Sequence, residues 1–328
     1  MSFSRSLFAA LAAATLAFAA LLSGAPAQAA YPDKPIRIVV PFPPGGAVDA
    51  VARITAQYLT QSLGASVVVD NRPGAGGAIG VQTVARAPAN GYELLLGPIG
   101  PLTINPSLYS NLTYDTERNF APIVLLAGAP GVLVVQPSLH LRSLPDFVAL
   151  LREKPGELRF GSAGSGNLTH LMAEYFLSTV GAKAIHIPYK GSAPAITDFL
   201  GGRFEFMFDV VPTAQPYVQD GRYQALAVTS RHRSAAMPNV PTFAELGYQD
   251  VDITSWWGLL APAGTPQAII DKLNATLNEG LKTAAMRDSL VRLGADPLDG
   301  TPQAFQAQIH SELARWKQVV EASGAKPD

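Results

Sequence analysis

Three side chains in the sequence have the chemistry of a hydrolytic site: Ser165 as nucleophile, His170 as base and Asp209 as the group that orients the base. Serine hydrolases hold the nucleophile in a G-x-S-x-G turn, and neither serine of Gly161–Gly166 stands between glycines at that spacing. The five histidines include no H-x-x-x-H pair, and the chain has no cysteine to act as a metal ligand. We therefore expect no metal, no cofactor and no enzyme activity, with a secreted serine hydrolase as an alternative.

The glycine-rich segment Gly74–Gly80 does not form a dinucleotide motif, because Ile79 stands where the third glycine of G-x-G-x-x-G belongs. No G-x-x-x-x-G-K-[ST] motif occurs among the 328 residues. The 24 basic and 25 acidic residues give a net charge of −1, and no basic run could neutralise a phosphate backbone. The sequence therefore argues against nucleotide and nucleic-acid partners.

Three loops rich in glycine, serine and proline lie between a predicted strand and a predicted helix: Pro43–Gly46, Gly97–Ile99 and Gly161–Asn167. Backbone N–H groups at a helix N-terminus, together with the helix dipole, form an anion site that needs no lysine. Taken singly, each set of glycines could instead serve only to allow a tight turn. Their occurrence in both halves of the chain favours a binding cleft for an anion.

Two further polar residues are candidates for this cleft. Asp209 follows the apolar strand Phe204–Phe208, where a carboxylate is costly unless it is paired, hydrogen-bonded or solvated in a cleft. Capping of the next helix is the alternative role. His170 lies one helical turn beyond the start of its helix and is either a ligand contact or a helix-face histidine bonded to a carbonyl.

The elements that must position these residues form two series of strands and helices. Ile36–Val40 is a β-branched run followed by a tight loop and by apolar residues at helical spacing, and Asp49 and Arg53 lie in that helix at i and i+4. The same order recurs as far as Leu96. It restarts at Leu158–Phe160 and continues to Val228. Such alternation predicts βα units and mostly parallel sheets.

Two hydrophobic runs, Pro122–Gly131 and Val251–Leu260, are long enough to carry the chain from the first unit to the second and back. Two more helices are predicted to start at Thr265-Pro266 and Thr301-Pro302, each with a hydroxyl cap and a proline at the first helical position. Two crossings between two units are the geometry of a hinge.

Residues 1–29 have the features of a secretory signal: Arg5, an apolar stretch from Leu7 to Leu22, and small residues that end in Ala27-Gln28-Ala29. We expect cleavage after about Ala29 and export of a soluble protein. An uncleaved N-terminal anchor is the alternative, although the apolar stretch is short for a membrane span.

At this point the sequence resembles a known family, the Bug-type periplasmic solute-binding proteins that serve tripartite tricarboxylate transporters. The resemblance extends in order over nearly all of the predicted mature chain. It is carried by the segments Tyr31–Arg37, Pro41–Asp49, Asn71–Gly77, Ile104–Tyr109, Gly161–Asn167 with His170, His186–Gly191, Met207–Asp209, Ala225–Thr229 and Ala261–Pro266.

The resemblance implies an α/β chain with the two-lobed type II periplasmic binding protein fold, in which two mostly parallel sheets are joined by crossover segments. We expect lobe 1 to comprise residues 30–127 and 252–328, and lobe 2 to comprise residues 128–251. The ligand would lie between the lobes. Asn167 stands where a serine is commoner in the family.

The resemblance also implies a set of ligand-binding residues drawn from loops of both lobes. Tyr189 joins them as an aromatic residue that could line the pocket. The expected residues are Phe42, Pro44, Gly45, Gly46, Ser162, Gly164, Ser165, Asn167, His170, Tyr189 and Asp209.

The expected ligand is a small organic anion, namely a mono- or dicarboxylate, with an amino acid as the next choice. Asp209 would repel a second carboxylate placed directly against it and would accept an ammonium, a hydroxyl or a bridging water. The resemblance implies a periplasmic monomer whose partners are the membrane subunits of a transporter. A sensor kinase is the alternative partner.

Overall fold

The first half of the chain forms the predicted βα units. The computed structural model describes residues 31–323 and 325, and the predicted signal sequence lies outside them. The first units contain β1 (Ile36–Val40), α1 (Ala47–Leu63), β2 (Val67–Asn71), α2 (Ala78–Ala85) and β3 (Glu93–Pro98). Strand β1 pairs in parallel with both β2 and β3. Its β-branched and apolar side chains are buried, as expected of a strand with neighbours on both sides.

A 16-residue strand, β4 (Phe120–Val135), joins the two halves. Before it lie a π-helical turn (Gly100–Ile104) and the short helices α3 (Asn105–Leu108) and α4 (Thr116–Asn119). Up to Pro130, β4 pairs with β9 (Thr254–Pro262), and from Gly131 onward it pairs with strands of the second half. Both predicted crossings are therefore strands of a sheet.

The second half repeats the βα pattern. Its elements are α5 (Leu144–Glu153), β5 (Arg159–Ser162), α6 (Leu168–Val180), β6 (Ile185–Pro188), α7 (Ser192–Leu200), β7 (Phe206–Val210), α8 (Val211–Gln219) and β8 (Gln224–Val228). The strands lie in the order β2-β1-β3-β9-β4-β7-β5-β6, and β8 and the short β10 (Asp296–Pro297) also pair with β4.

The strand directions show how the two sheets are joined. All pairs within the βα units are parallel, whereas every pair made by β4 or β9 is antiparallel. The sheets are therefore mixed and not purely parallel, because the two crossing strands, β4 and β9, are antiparallel to their neighbours. From Lys34 onward the described residues form one compact unit.

Two long helices and a shorter one follow β9: α9 (Gln267–Lys282), α10 (Ala284–Arg292) and α11 (Pro302–Ser323). Thr301 caps α11 as predicted, since its hydroxyl accepts the N–H of Ala304. The prediction for α9 is wrong by one position: Pro266 is the cap residue, and the hydroxyl of Thr265 donates backwards to the carbonyl of Pro262. Helix α9 packs on α1 and β4, so the end of the chain completes the first half.

Within residues 31–323 we find no helix that combines the length and the apolar character needed to cross a membrane.

Gly258 of β9 sets the distance between the sheet and α11. A Cβ atom at this position would lie 2.2 Å from Cζ of Phe305. The Phe305 ring cannot move away easily, because it is 1% exposed and packs edge-on against Trp256 at a centroid distance of 5.4 Å.

We expect Gly258→Ala to lower the free energy of unfolding by about 1–3 kcal/mol in urea titrations, the usual cost of overpacking a core. Phe305→Leu in the same chain should recover part of that loss. Gly100→Ala is the matched control, because nothing lies within 4 Å of its added Cβ. Equal losses for the two alanine variants would contradict this packing.

Candidate ligand-binding site

The loop after β1 presents the start of α1 to solvent. Pro44, Gly45 and Gly46 are exposed, Phe42 is half-buried, and Gly46 is the cap residue of α1 without a side chain to bond the first helical N–H groups. These N–H groups lie at the positive end of a 17-residue helix. The loop expected from the sequence is therefore open and offers hydrogen-bond donors.

Asp49 holds this loop from inside the helix. The residue is 4% exposed, and its carboxylate accepts hydrogen bonds from the N–H of Gly45 at 3.0 Å and from the guanidinium of Arg53 at 2.9 and 3.1 Å. The amide of Asn71 donates both to this carboxylate, at 3.1 Å, and to the carbonyl of Phe42, at 3.0 Å. Both ends of the loop are thereby tied to one buried group.

The bonds to Asp49 also fix its charge. Burial alone would raise the pKa of this carboxyl, but the hydrogen bonds from Arg53, Gly45 and Asn71 outweigh burial and hold the pKa below its ordinary value. Arg53 compensates the negative charge of Asp49, so the positive end of α1 remains available to an external anion.

The predicted loop at Gly97–Ile99 does not open into a cleft. All three of its residues are buried, and a Cβ on Gly97 would lie 2.5 Å from Cδ1 of Leu102. The π-helical turn that follows is also closely packed against the first loop. A Cβ on Gly77 would lie 2.6 Å from Pro101 of this turn and 3.4 Å from the ring of Phe42. The segment supports the first loop from behind.

The second-half loop after β5 satisfies many of its own donors. The N–H of Gly164 donates to Oγ of Ser162 at 3.2 Å, and the N–H of Ala163 donates to Oγ1 of Thr169 at 3.0 Å. Ser162 itself is fully buried. Ser162 and Gly164 therefore stabilise the conformation of the loop through hydrogen bonds within it.

Asn167 is the N-cap of α6 and uses only part of its side chain to do so. Its Oδ1 accepts the N–H of Thr169 at 3.1 Å. The Nδ2 group has no hydrogen-bond partner among the described residues and belongs to a half-buried side chain. Ser165, also half-buried, lies two residues before it. Both side chains are polar and partly accessible to solvent.

His170 is turned into the loop. Its Nδ1 accepts the N–H of Gly166 at 2.9 Å, and its Nε2 lies 3.5 Å from Oε1 of Glu174. The carboxylate of Asp209 is bonded elsewhere, so the serine, histidine and aspartate do not form a hydrolytic triad. This geometry matches the helix-face role, with a backbone N–H in place of a carbonyl, and a contact between His170 and the ligand stays a prediction.

Tyr189 faces the interior of the second half. Its hydroxyl donates to Asp198 at 2.8 Å, and its ring lies 5.8 Å from that of Phe204. Burial, followed by the bond to the Asp198 carboxylate, raises the pKa of Tyr189 to about 12. Its expected role in lining the pocket stays a prediction, and its hydroxyl is already committed.

Asp209 has one satisfied oxygen and one unsatisfied oxygen. Oδ1 accepts the N–H of Val210 at 2.8 Å and the hydroxyl of Thr213 at 2.5 Å, whereas Oδ2 is buried without a partner among the described residues. Burial raises the pKa of this carboxyl to about 6, although Thr213 and Val210 act in the opposite direction. The residue is 1% exposed and lies at the carboxyl end of β7.

The two halves meet at Gly166. Its φ of +69° is in the left-handed region, and a Cβ there would lie 2.3 Å from Cδ1 of Leu108, the last residue of α3. A glycine is therefore needed both for the backbone and for the approach of the first half. This contact joins the second-half loop to α3 of the first half.

Several residues of the site were missed at the level of sequence. The i, i+4 spacing of Asp49 and Arg53 indicated an ion pair but not its bonds to the loop. Asn71, Glu174 and His186 carry no local signal, because their partners lie on other elements or on a helix face. Within the described part of the chain, no group of three or more histidine or acidic side chains could hold a metal ion.

Comparison with known proteins identifies the family. The model of the tripartite tricarboxylate transporter family receptor, TctC, matches residues 51–325. The chain belongs to this family. Protein BugT of Bordetella pertussis is 40% identical over 297 residues, which are 90% of this chain and 91% of that protein.

Solved structures of relatives share the fold. An R. palustris protein solved with adipate is 35% identical with a TM-score of 0.86, and periplasmic binding protein BugD is 34% identical with a TM-score of 0.83. In each case the match covers 91% of this chain and 100% of the other. The two-lobed α/β fold of periplasmic binding proteins is confirmed, and this TctC receptor is a solute-binding protein and not an enzyme.

The raised pKa of Asp209 predicts how stability depends on pH. The pKa is 3.8 in the unfolded chain and about 6 in the folded one, so the folded state binds the proton more tightly. The contribution of Asp209 to stability is full below pH ~4 and is lost as the pH rises through ~6.

We therefore expect Asp209→Asn to gain about 2 kcal/mol in free energy of unfolding relative to the wild type between pH ~4 and pH ~7, measured by denaturant titration without ligand. Asp250→Asn, at an exposed position, is the control and should show no such trend. A difference between Asp209→Asn and the wild type that is the same at both pH values would show that the carboxyl is not desolvated.

Proposed function

We propose that this TctC receptor captures a small organic carboxylate between lobe 1, residues 30–127 and 252–328, and lobe 2, residues 128–251. The observation that carries the proposal is the uncapped N-terminus of α1 on the exposed loop Pro44–Gly46. Its N–H groups are fixed in place by Asp49 and Asn71, so little ordering is needed when an anion binds.

The relative solved with adipate supports a carboxylate as the ligand. One carboxylate would bind the N–H groups at the start of α1, which need no arginine or lysine for this purpose. Asn167 and Ser165 on the second-half loop would hold the same ligand from the other side. Closure of the lobes would then bury it.

The second polar group of the ligand would be selected near Asp209. An ionised carboxylate here favours an ammonium or a bridging water, whereas a protonated one favours a second carboxylate. The raised pKa of Asp209 keeps both states accessible. We place a dicarboxylate held through water or a hydroxyl first and an amino acid second.

The family description and the signal-like segment at residues 1–29 support a periplasmic location and delivery to the membrane subunits of a tripartite tricarboxylate transporter. Deletion of the protein should abolish uptake of its ligand in cells. Unchanged uptake with loss of a transcriptional response would instead identify a sensor as the partner.

Calorimetry with succinate, malate, adipate, aspartate and benzoate on refolded, ligand-free protein tests the carboxylate proposal. At least one carboxylate should bind, with no turnover of any ester or amide. Asp209→Asn distinguishes the ligand classes: it should weaken an amino acid by about tenfold or more, the loss of a charge-assisted bond, and leave a dicarboxylate unchanged or tighter. Binding of neutral sugars alone would contradict the proposal.

Lobe closure can be tested at Gly166. A binding dicarboxylate should reduce the radius of gyration in X-ray scattering, because contacts from both lobes stabilise only the closed form. Gly166→Ala should reduce or remove this change, since its Cβ would strike Leu108. Gly156→Ala is the control, because Gly156 has a comparable φ of +76° with nothing within 4 Å. Tight binding without any compaction in the wild type would contradict the two-lobe mechanism.

A further inference from the structure

Two histidines are stacked beneath the second-half loop. The rings of His170 on α6 and His186 on β6 lie with centroids 3.8 Å apart and planes 5° from parallel. Phe160 of β5 stacks on His186 at 4.8 Å. His170 is buried and His186 is half-buried, and both rings bond to residues of the loop from Ser162 to Gly166.

His170 fixes the position of Gly166. Because the Gly166 N–H donates to Nδ1, this nitrogen carries no proton and the ring proton is on Nε2, which faces Glu174. Gly166 is the residue of this loop that approaches Leu108 of the first half. A shift of His170 would therefore move the point at which the two halves meet.

His186 fixes the other end of the loop through Ser162. Its Nε2 lies 2.6 Å from Oγ of Ser162, and the same oxygen accepts the N–H of Gly164 and donates to the carbonyl of Gly164. A hydroxyl has a single proton, so all three contacts are satisfied together when Nε2 of His186 is the donor. His186 then completes a partly buried hydrogen-bond network around the turn.

We propose that His170 and His186 are positioning residues, a stacked pair of imidazole rings that sets the backbone of the second-half loop in the conformation that receives the ligand. Neither ring needs to touch the ligand. The effect on affinity rests on the proposed carboxylate-binding function, whereas the effect on the loop does not.

Isosteric substitutions separate the hydrogen bonds from the packing. The Oδ1 of an asparagine lies as many bonds from Cα as Nδ1 of histidine, and Nε2 of a glutamine as many as Nε2 of histidine. His170→Asn therefore keeps an acceptor for Gly166, and His186→Gln keeps a donor for Ser162. His170→Leu and His186→Leu remove these groups. His232→Gln, at an exposed histidine outside the site, is the control.

Amide hydrogen exchange on ligand-free protein gives the first measurement. We expect the Gly166 amide to exchange about tenfold faster in His170→Leu, because it loses its acceptor. The Gly164 amide should also exchange faster in His186→Leu, because its acceptor, Oγ of Ser162, loses the partner that holds it in place. The Asn and Gln variants should restore most of the protection. In the wild type, nitrogen NMR should show His170 protonated at Nε2 and unprotonated at Nδ1.

Calorimetry with succinate, malate and adipate gives the second measurement. Each leucine variant should weaken the ligand that binds the wild type by about tenfold or more, with recovery in the Asn and Gln variants. Unchanged exchange at both glycines, or a His170 proton on Nδ1, would overturn the positioning role. Normal exchange effects with no wild-type binding of any carboxylate would contradict the proposed function alone.

Discussion

The site depends on one buried carboxylate. Asp49 receives hydrogen bonds from the backbone of Gly45, the amide of Asn71 and the guanidinium of Arg53, and it lies in the first turn of the helix whose N-terminus it supports. Removal of any one partner would leave a buried polar group unsatisfied, which costs more than the bond itself contributes. Because Arg53 compensates the charge, the loop gains rigidity while the helix end keeps its attraction for anions.

The two halves contribute differently to the site. The first half offers the N–H groups at the start of α1, which have no side-chain cap. The loop that carries them is already held in place by Asp49. The second half consumes most of its loop donors internally and leaves the Nδ2 group of Asn167 and one oxygen of Asp209 to be satisfied. On the proposed function, the first half supplies general affinity for a carboxylate, and the second half discriminates between ligands by what their far end can offer to Asp209.

The sequence pattern predicted the βα units and both crossings correctly, because periodicity and runs of apolar residues report burial directly. It could not predict that Gly97–Ile99 packs inward, that Pro266 takes the N-cap position of α9 without a side-chain hydrogen bond, or that His170 accepts a bond from Gly166. Each of these depends on which atoms meet across different elements, and spacing along the chain carries no such information. The antiparallel pairing of β4 and β9 could not be predicted either, because the composition of a buried strand does not tell whether it pairs in parallel or antiparallel.

The most direct test of the central claim is the response of the α1 N-terminus to ligand. In isotope-labelled protein titrated with adipate or malate, whichever calorimetry shows to bind, the amide resonances of Gly46, Ala47 and Val48 should shift strongly and saturate with the calorimetric affinity. The uncapped start of α9, at Gln267 and Ala268, is an internal control and should not respond. Saturating binding that leaves the resonances of Gly46–Val48 in place, or moves both helix ends equally, would contradict the assignment of this loop as the carboxylate site.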